Sequence, residues 1–344
     1  MIHYKQGNLL EAETEALVNT VNCVGVMGKG IALQFRQAFP ECFKEYKRAC
    51  DTLEVRPGFM HIFPTGSFIG PKYIINFPTK RHWKGKSKIE DVVSGLDALR
   101  NAIIEYDICS IAVPPLGCGN GGLAWNVVRK MIEEKLGGLD DVIIDIYEPA
   151  GAPASKSMAI ATKEPNMSRG RAALLGIFRK YLVPGYELSM LEIQKLAYFL
   201  QEAGEPLRLQ FDKQKYGPYA ETLHHVLQRI EGHFIRGYGD RSREASVEVF
   251  DKAMNEAEHL LEKEYPESLE RAEQVKRLIE GFETPFGLEL LSTVDWVMKH
   301  DEAAKESVSN AISAVHAWNK RKSEIFNEKH ITIAWNRLHA NAGN

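Results

Sequence analysis

The chain has 344 residues, more than a single hydrophobic core usually supports and enough for two domains. Its 43 Lys and Arg residues against 46 Asp and Glu give a formal net charge of −3, so no global field draws it to nucleic acid or membrane, and any such contact must rest on local patches. Five cysteines in no CxxC pair and odd in number argue against a disulfide framework or a zinc site, and the absence of an apolar leader or a long apolar run makes a cytoplasmic protein the expectation.

Taken in chain order, short β-rich runs at 2–4, 16–19, 60–63, 72–77, 110–113 and 142–147 alternate with helical stretches at 30–49, 89–106 and 125–136. This alternation predicts an α/β layered domain over 1–148. Residues 149–157 are rich in small residues and proline and read as the start of a linker spanning 149–166. From 167 to 344 the periodicity is helical, with helices expected at 169–182, 189–203, 219–231, 246–264, 266–281, 287–299 and 301–326. Between Glu244 and Glu283 acidic residues outnumber basic ones 12 to 5. A solvated helix face accounts for this excess, and a docking surface for a basic partner is the functional alternative.

Two glycine-rich loops mark the first domain. Gly117, Cys118, Gly119, Asn120, Gly121, Gly122 and Leu123 lie between the apolar run Ile111-Ala112-Val113 and a helical start at Trp125. Asn22 through Met27, Gly28, Lys29 and Gly30 lie between Ala16-Leu17-Val18 and a helix expected from Ile31 to Ala38. Glycine permits positive φ and close backbone approach, and a following helix start offers unpaired N–H groups, so each loop suits a phosphate or diphosphate. Neither matches GxGxxG or GxxxxGK[ST], which weakens nicotinamide-enzyme and nucleotide-hydrolase readings.

Between the loops, Ile74-Ile75-Asn76-Phe77-Pro78-Thr79 ends in the cationic group Lys80, Arg81, His82. A lysine beside an arginine, partly buried, gives up its proton more readily and could present a neutral amine, although most strand-end lysines are simply solvated. Met27, Phe35, Trp125 and Cys118 read as packing residues, Cys118 because no base is apparent for it. Lys80, Arg81, His82, Trp83, Lys84, Lys86 and Lys88 form a short basic stretch with one aromatic, open to a solvated-loop reading or to contact with nucleic-acid phosphates.

Together, Gly7-Asn8-Leu9-Leu10, Leu17 through Asn22, Met27-Gly28-Lys29-Gly30-Ile31-Ala32, Thr79-Lys80-Arg81 and Pro115-Leu116-Gly117-Cys118-Gly119 resemble the macrodomain, the ADP-ribose-binding fold. They are most similar to the branch that includes the terminal ADP-ribose glycohydrolases and the DarG antitoxins. The resemblance covers about residues 1–148 and implies a three-layer α/β/α domain with a mixed sheet, followed by a mainly α-helical domain. It implies ADP-ribose with its diphosphate on 117–122 and its distal ribose near Asn22 and 25–31. The ligand would meet Asn8, Leu9, Thr20, Asn22, Met27, Gly28, Lys29, Gly30 and Ile31 on one side. Gly117, Cys118, Gly119, Asn120, Gly121, Gly122 and Leu123 would form the other.

The resemblance also implies that Lys80 is the catalytic residue, acting at the anomeric carbon of the distal ribose; because the sequence shows no metal-ligating cluster, a reaction without metal or cofactor is expected. Gly121 stands where the glycohydrolases of this branch carry an aspartate, and Asn8 where many macrodomains carry the aspartate that recognises adenine. Leu191 through Phe199 followed by Lys215-Tyr216-Gly217-Pro218-Tyr219 looks like a helical domain of antitoxin-type proteins. The implied function is removal of ADP-ribose from thymidine in single-stranded DNA, with a second domain that binds and neutralises a DarT toxin. Two alternatives stand beside it: an ADP-ribose-binding module that works by sequestration alone, and a hydrolase of ADP-ribosylated protein.

Overall fold

The computed structural model describes residues 1–67, 69–149, 158–239 and 245–342. By compactness the chain divides after Lys163 into two units. The expected 149–166 linker falls in its middle part on 150–157, outside the described residues. Beyond it Met158 is buried, and the Ala161 amide donates to the Gln37 carbonyl at 2.9 Å within the first unit.

In the first unit six strands, β1 (Ile2–Lys5), β2 (Ala16–Asn22), β3 (His61–Pro64), β4 (Tyr73–Lys80), β5 (Ser110–Val113) and β6 (Ile143–Tyr147), form one sheet in the order β1-β6-β5-β2-β4-β3. All neighbours are parallel except β3 against β4. The helices are α1 (Gly30–Ala38), α2 (Pro40–Asp51), α3 (Ile89–Glu105) and α4 (Trp125–Leu136). Alternation along the central strands sorts them into layers. Ala16, Val18, Ile75 and Phe77 pack with Leu96, Leu99 and Val128 of α3 and α4, whereas Leu17, Ile74 and Ala112 pack with Phe35 and Cys42 of α1 and α2. The result is the expected three-layer α/β/α arrangement with a mixed sheet. The helical stretch expected over 30–49 is two helices, the first ending at Ala38 as expected: Phe39 is non-helical (φ −131°, ψ 70°) and Pro40, which has no N–H to donate, opens α2.

The second unit is mainly helical, with α5 (Arg169–Tyr181), α6 (Met190–Glu202), α7 (Glu221–Ile230), α8 (Asp251–Glu264), α9 (Pro266–Ile279) and α10 (Pro285–His300). The single helix expected over 301–326 is three, α11 (Glu302–Glu306), α12 (Val308–His316) and α13 (Lys320–Ile325). Ser307 breaks it in an extended conformation, and Asn319 breaks it as an N-cap whose Oδ1 accepts from the Lys322 amide at 3.0 Å. A last helix, α14 (Glu328–Ala342), was not expected; Ile331, Ala334 and Leu338 form its buried stripe. Residues 246–249, expected as helix, are the strand β11 (Ser246–Val249). It pairs antiparallel with β7 (Leu188–Ser189) and β10 (Ile235–Arg236), because Val247 and Val249 alternate inward.

The Tyr216-Gly217-Pro218 segment turns a hairpin of β8 (Asp212–Gln214) and β9 (Gly217–Tyr219). α6 is bonded to it twice: Gln194 exchanges two hydrogen bonds with the Ala220 backbone, and the buried Lys195 Nζ donates to the Pro218 carbonyl at 2.6 Å. Part of the acidic excess of α8 and α9 is answered from α5, where Arg179 meets Glu258 and Lys180 meets Glu273.

Candidate active site

The chain leaves β2 toward β4 and leaves β5 toward β6, so the carboxyl ends of the adjacent strands β2 and β5 diverge, the place where open α/β sheets form a ligand crevice. Both glycine-rich loops arise there. A Cβ built on Gly30 (φ +60°) would lie 3.1 Å from Asn120 Nδ2, which brings the start of α1 and the 117–123 loop into contact. The amides of Gly119, Asn120 and Gly121 have no acceptor among the described residues, as an anion cradle requires.

The first loop is shaped by Asn22. Its Oδ1 accepts from the Val24 amide (3.0 Å) and the Val26 amide (3.3 Å), and its Nδ2 donates to the Val26 carbonyl (2.5 Å). The fully buried Tyr46 donates its hydroxyl to the Asn22 carbonyl at 2.6 Å. Asn22 therefore organises the loop expected to hold the distal ribose and has its own amide already engaged. Met27 is buried, with its sulfur 3.8 Å from Asn19 Nδ2, whereas Lys29 is exposed at the N-cap of α1 and Gly28, Ile31 and Thr20 are partly exposed. Asn8 caps a short turn, Oδ1 accepting from the Leu10 amide at 3.1 Å, which leaves one lone pair for an adenine amine. Leu9 beside it is buried in the core, so its backbone is the part that can meet a ligand.

Lys80 closes β4, and its Nζ donates to the Asn120 carbonyl. Partial burial holds its pKa below the ordinary 10.5. Arg81 turns away and forms a two-bonded pair with the buried Asp91 (3.0 and 3.3 Å). Cys118 is half-buried, and desolvation raises its thiol to about 11, so it is not a thiolate at neutral pH. Gly119, Asn120 and Gly122 are exposed, Leu123 is partly buried, and Gly117 and Gly121 are buried.

At Gly121 a Cβ would lie 2.2 Å from both the Gly117 carbonyl oxygen and Ser87 Oγ, so this loop conformation accepts only glycine there. No carboxylate can stand at that position beside Lys80 without rebuilding the loop. The sequence reading missed two supports: Tyr46, which looks like any apolar position of an amphipathic helix, and Ser87, whose amide donates to the Gly121 carbonyl at 3.1 Å.

The Macro domain family model matches residues 18–132. The chain is 46% identical over 338 residues to the DNA ADP-ribosyl glycohydrolase of Thermus aquaticus, covering 98% of this chain and 93% of that protein. It is 33% identical over 159 residues to a DNA ADP-ribosyl transferase-DNA ADP-ribosyl glycohydrolase fusion protein of Thermosipho africanus, covering 42% of this chain and 41% of the fusion. Among solved structures, the macrodomain of Mycobacterium tuberculosis DarG is 54% identical, with a TM-score of 0.43, covering 43% of this chain and 98% of that one. Similarity along nearly the whole length of both this chain and the Thermus aquaticus protein shows that the chain belongs to the DNA ADP-ribosyl glycohydrolases, the DarG family, with a macrodomain as its first unit.

Proposed function

We propose that the first unit removes ADP-ribose from thymidine in single-stranded DNA, with Lys80 as the catalytic amine, and that the second unit binds a DarT-type DNA ADP-ribosyltransferase toxin. The observation that carries the reading is Lys80 itself: an amine with depressed pKa, at the end of β4, bonded to the carbonyl of the loop suited to the diphosphate. The neutral amine attacks the anomeric carbon of the distal ribose, the C–N bond to thymine breaks, and the electron pair leaves on an imide nitrogen that delocalises it over two carbonyls. The proton lost from the attacking nitrogen returns to thymine, and water then displaces Lys80 from C1″ to free ADP-ribose. The loop amides hold the diphosphate in register, which supplies positioning.

Family membership supports the DNA substrate, and the fusion of a transferase with a glycohydrolase in Thermosipho africanus supports the pairing with a toxin. The test is release of ADP-ribose from a thymidine-ADP-ribosylated oligonucleotide by the full chain and by Lys80→Ala. Release that disappears in the variant is expected. Calorimetric binding of ADP-ribose without release by wild type would leave a sequestering module. Copurification of the full chain with the transferase tests the second unit.

A further inference from the structure

Between Lys80 and α3 the chain makes an exposed excursion, 81–88, held to the site at both ends. It starts where β4 ends, and it returns through Ser87, buried and bonded by its amide to the Gly121 carbonyl. On the way back Lys86 and Lys88 face outward on either side of Ser87. The Gly85 amide closes a turn on the His82 carbonyl at 3.0 Å. At its tip Trp83 is 49% exposed, with His82 stacked on it (centroids 5.6 Å, 28°) and Lys84 Nζ 4.9 Å from the ring centroid.

Among the described residues, only one of the charges here is held by an acidic partner. Arg81 is engaged by Asp91, but Lys84, Lys86 and Lys88 enter no ion pair among the described residues. Lys88 is the N-cap of α3, the helix end that favours anions, so its charge works against the helix unless an anion comes to it. Glu90, in the first turn, answers only part of three cations. A half-exposed indole beside lysines that enter no ion pair, anchored on the loop that faces the reactive amine, fits a polyanion that carries flat bases, one of which would take the place of His82 or Lys84 on the ring.

We propose that residues 82–88 are the platform for the DNA strand on either side of the modified nucleotide: Trp83 stacks on a neighbouring base, and Lys84, Lys86 and Lys88 meet the flanking phosphates. The proposal rests on the reading that the ADP-ribose is leaving a nucleobase in DNA. It adds where the rest of the strand goes.

The test compares wild type, Trp83→Ala and Lys84→Ala/Lys86→Ala on two substrates, an ADP-ribosylated oligonucleotide and ADP-ribosylated thymidine without flanking phosphates. Binding of unmodified oligothymidylate is measured in parallel by anisotropy at several salt concentrations. The expected result is a KM on the oligonucleotide raised about tenfold in each variant, with turnover of the nucleoside unchanged. The log–log salt dependence of oligothymidylate binding should fall by about 1.4 in the double variant, as loss of two phosphate contacts on a single strand requires. Equal KM and equal strand binding by all three proteins would overturn the platform. So would an equal loss on nucleoside and oligonucleotide, which would make 82–88 a support of the site. If wild type hydrolyses neither substrate, the glycohydrolase reading fails, and strand binding still decides: dependence on Trp83 and the lysines supports the platform. Binding of an acidic peptide in place of the strand overturns it.

Discussion

Asn22 and Lys80 are partners across β2 and β4, brought opposite each other by a shift of register after Val21. From this one pair, the Asn22 side chain gathers the 24–26 backbone while the Lys80 side chain leaves the sheet for the Asn120 carbonyl. The Cys23 thiol, 3.3 Å from the Lys80 carbonyl, reinforces the junction.

Replacing Asn22 by Ala removes the three part-buried bonds to the Val24 and Val26 backbone, a local cost of about 0.5–1.5 kcal/mol for each. The loop then has to be ordered by the ligand, and ADP-ribose affinity is expected to fall about tenfold by calorimetry. Asn22→Asp keeps both acceptor contacts but sets a carboxylate against the Val26 carbonyl, so it should fall between the two. An Ala variant with wild-type affinity would mean that the loop is ordered by other contacts.

The mechanism requires a neutral Lys80. Because burial lowers its pKa from the ordinary 10.5, the reactive fraction at neutral pH is larger than for a solvated lysine. Turnover is expected to rise about tenfold per pH unit and to level off below 10.5, when the amine is fully deprotonated. Lys80→Arg keeps the charge but has no deprotonatable amine, so it should be as inactive as Lys80→Ala, by roughly 10³-fold or more. A flat profile from pH 6 to 9 would remove the amine from the chemistry.

Gly121 makes a separate prediction. Charge alone would favour a carboxylate there to assist Lys80, but its Cβ would stand 2.2 Å from the Gly117 carbonyl oxygen, a backbone atom that cannot step aside cheaply. Gly121→Ala and Gly121→Asp should therefore both damage the loop, at about 1–3 kcal/mol or more, and lower ADP-ribose affinity at least tenfold. The Ala variant separates the added carbon from the added charge. A Gly121→Asp enzyme faster than wild type would show that the loop can be rebuilt around the side chain.

Where an apolar run met a glycine loop, the sequence located elements closely: β5 at 110–113 and α4 at 125–136 agree residue for residue, because Val113 and Trp125 border the loop. The end of α1 at Ala38 is legible because Pro40 follows it, although the helical periodicity runs on through α2 to 49. The breaks at Ser307 and Asn319 are hidden by a helical periodicity that continues across them, and the short Val247-Glu248-Val249 alternation runs directly into the pattern of the helix that follows. Both glycine loops were legible from composition and order, whereas Lys80 stands out only through the family resemblance, because a cation at a strand end reads equally well as solvated. Ser87 was not, because an amide-to-carbonyl bond to Gly121, 34 positions away, leaves no mark on residue type. Nor could the sequence show that Asn22 serves the loop, since that follows from the register of β2 on β4.

Lys195 carries the last prediction, on the stability of the second unit. It is almost wholly buried, donates to the Pro218 carbonyl, and faces Lys322, which is itself bonded to Glu289 and Thr293. Burial first, and then the Lys322 charge, push its pKa down to about 7, against a partial pull upward from Glu289. An unfolded lysine titrates near 10.4. Between about 7 and 10.4 the unfolded chain thus holds a proton that the folded chain lacks, and stability rises with pH by roughly 1.4 kcal/mol per unit from this group. Below about 7 both states are protonated and the penalty is constant. Lys195→Met removes the titration while filling much the same space, at the cost of an unpaired Pro218 carbonyl, about 1–3 kcal/mol. The variant should therefore lose ground relative to wild type as pH rises from 7 to 9.5, by roughly 3 kcal/mol in the difference of urea unfolding free energies. A difference that does not move with pH would place the Lys195 proton on the folded chain throughout, with Glu289 close enough to hold it there.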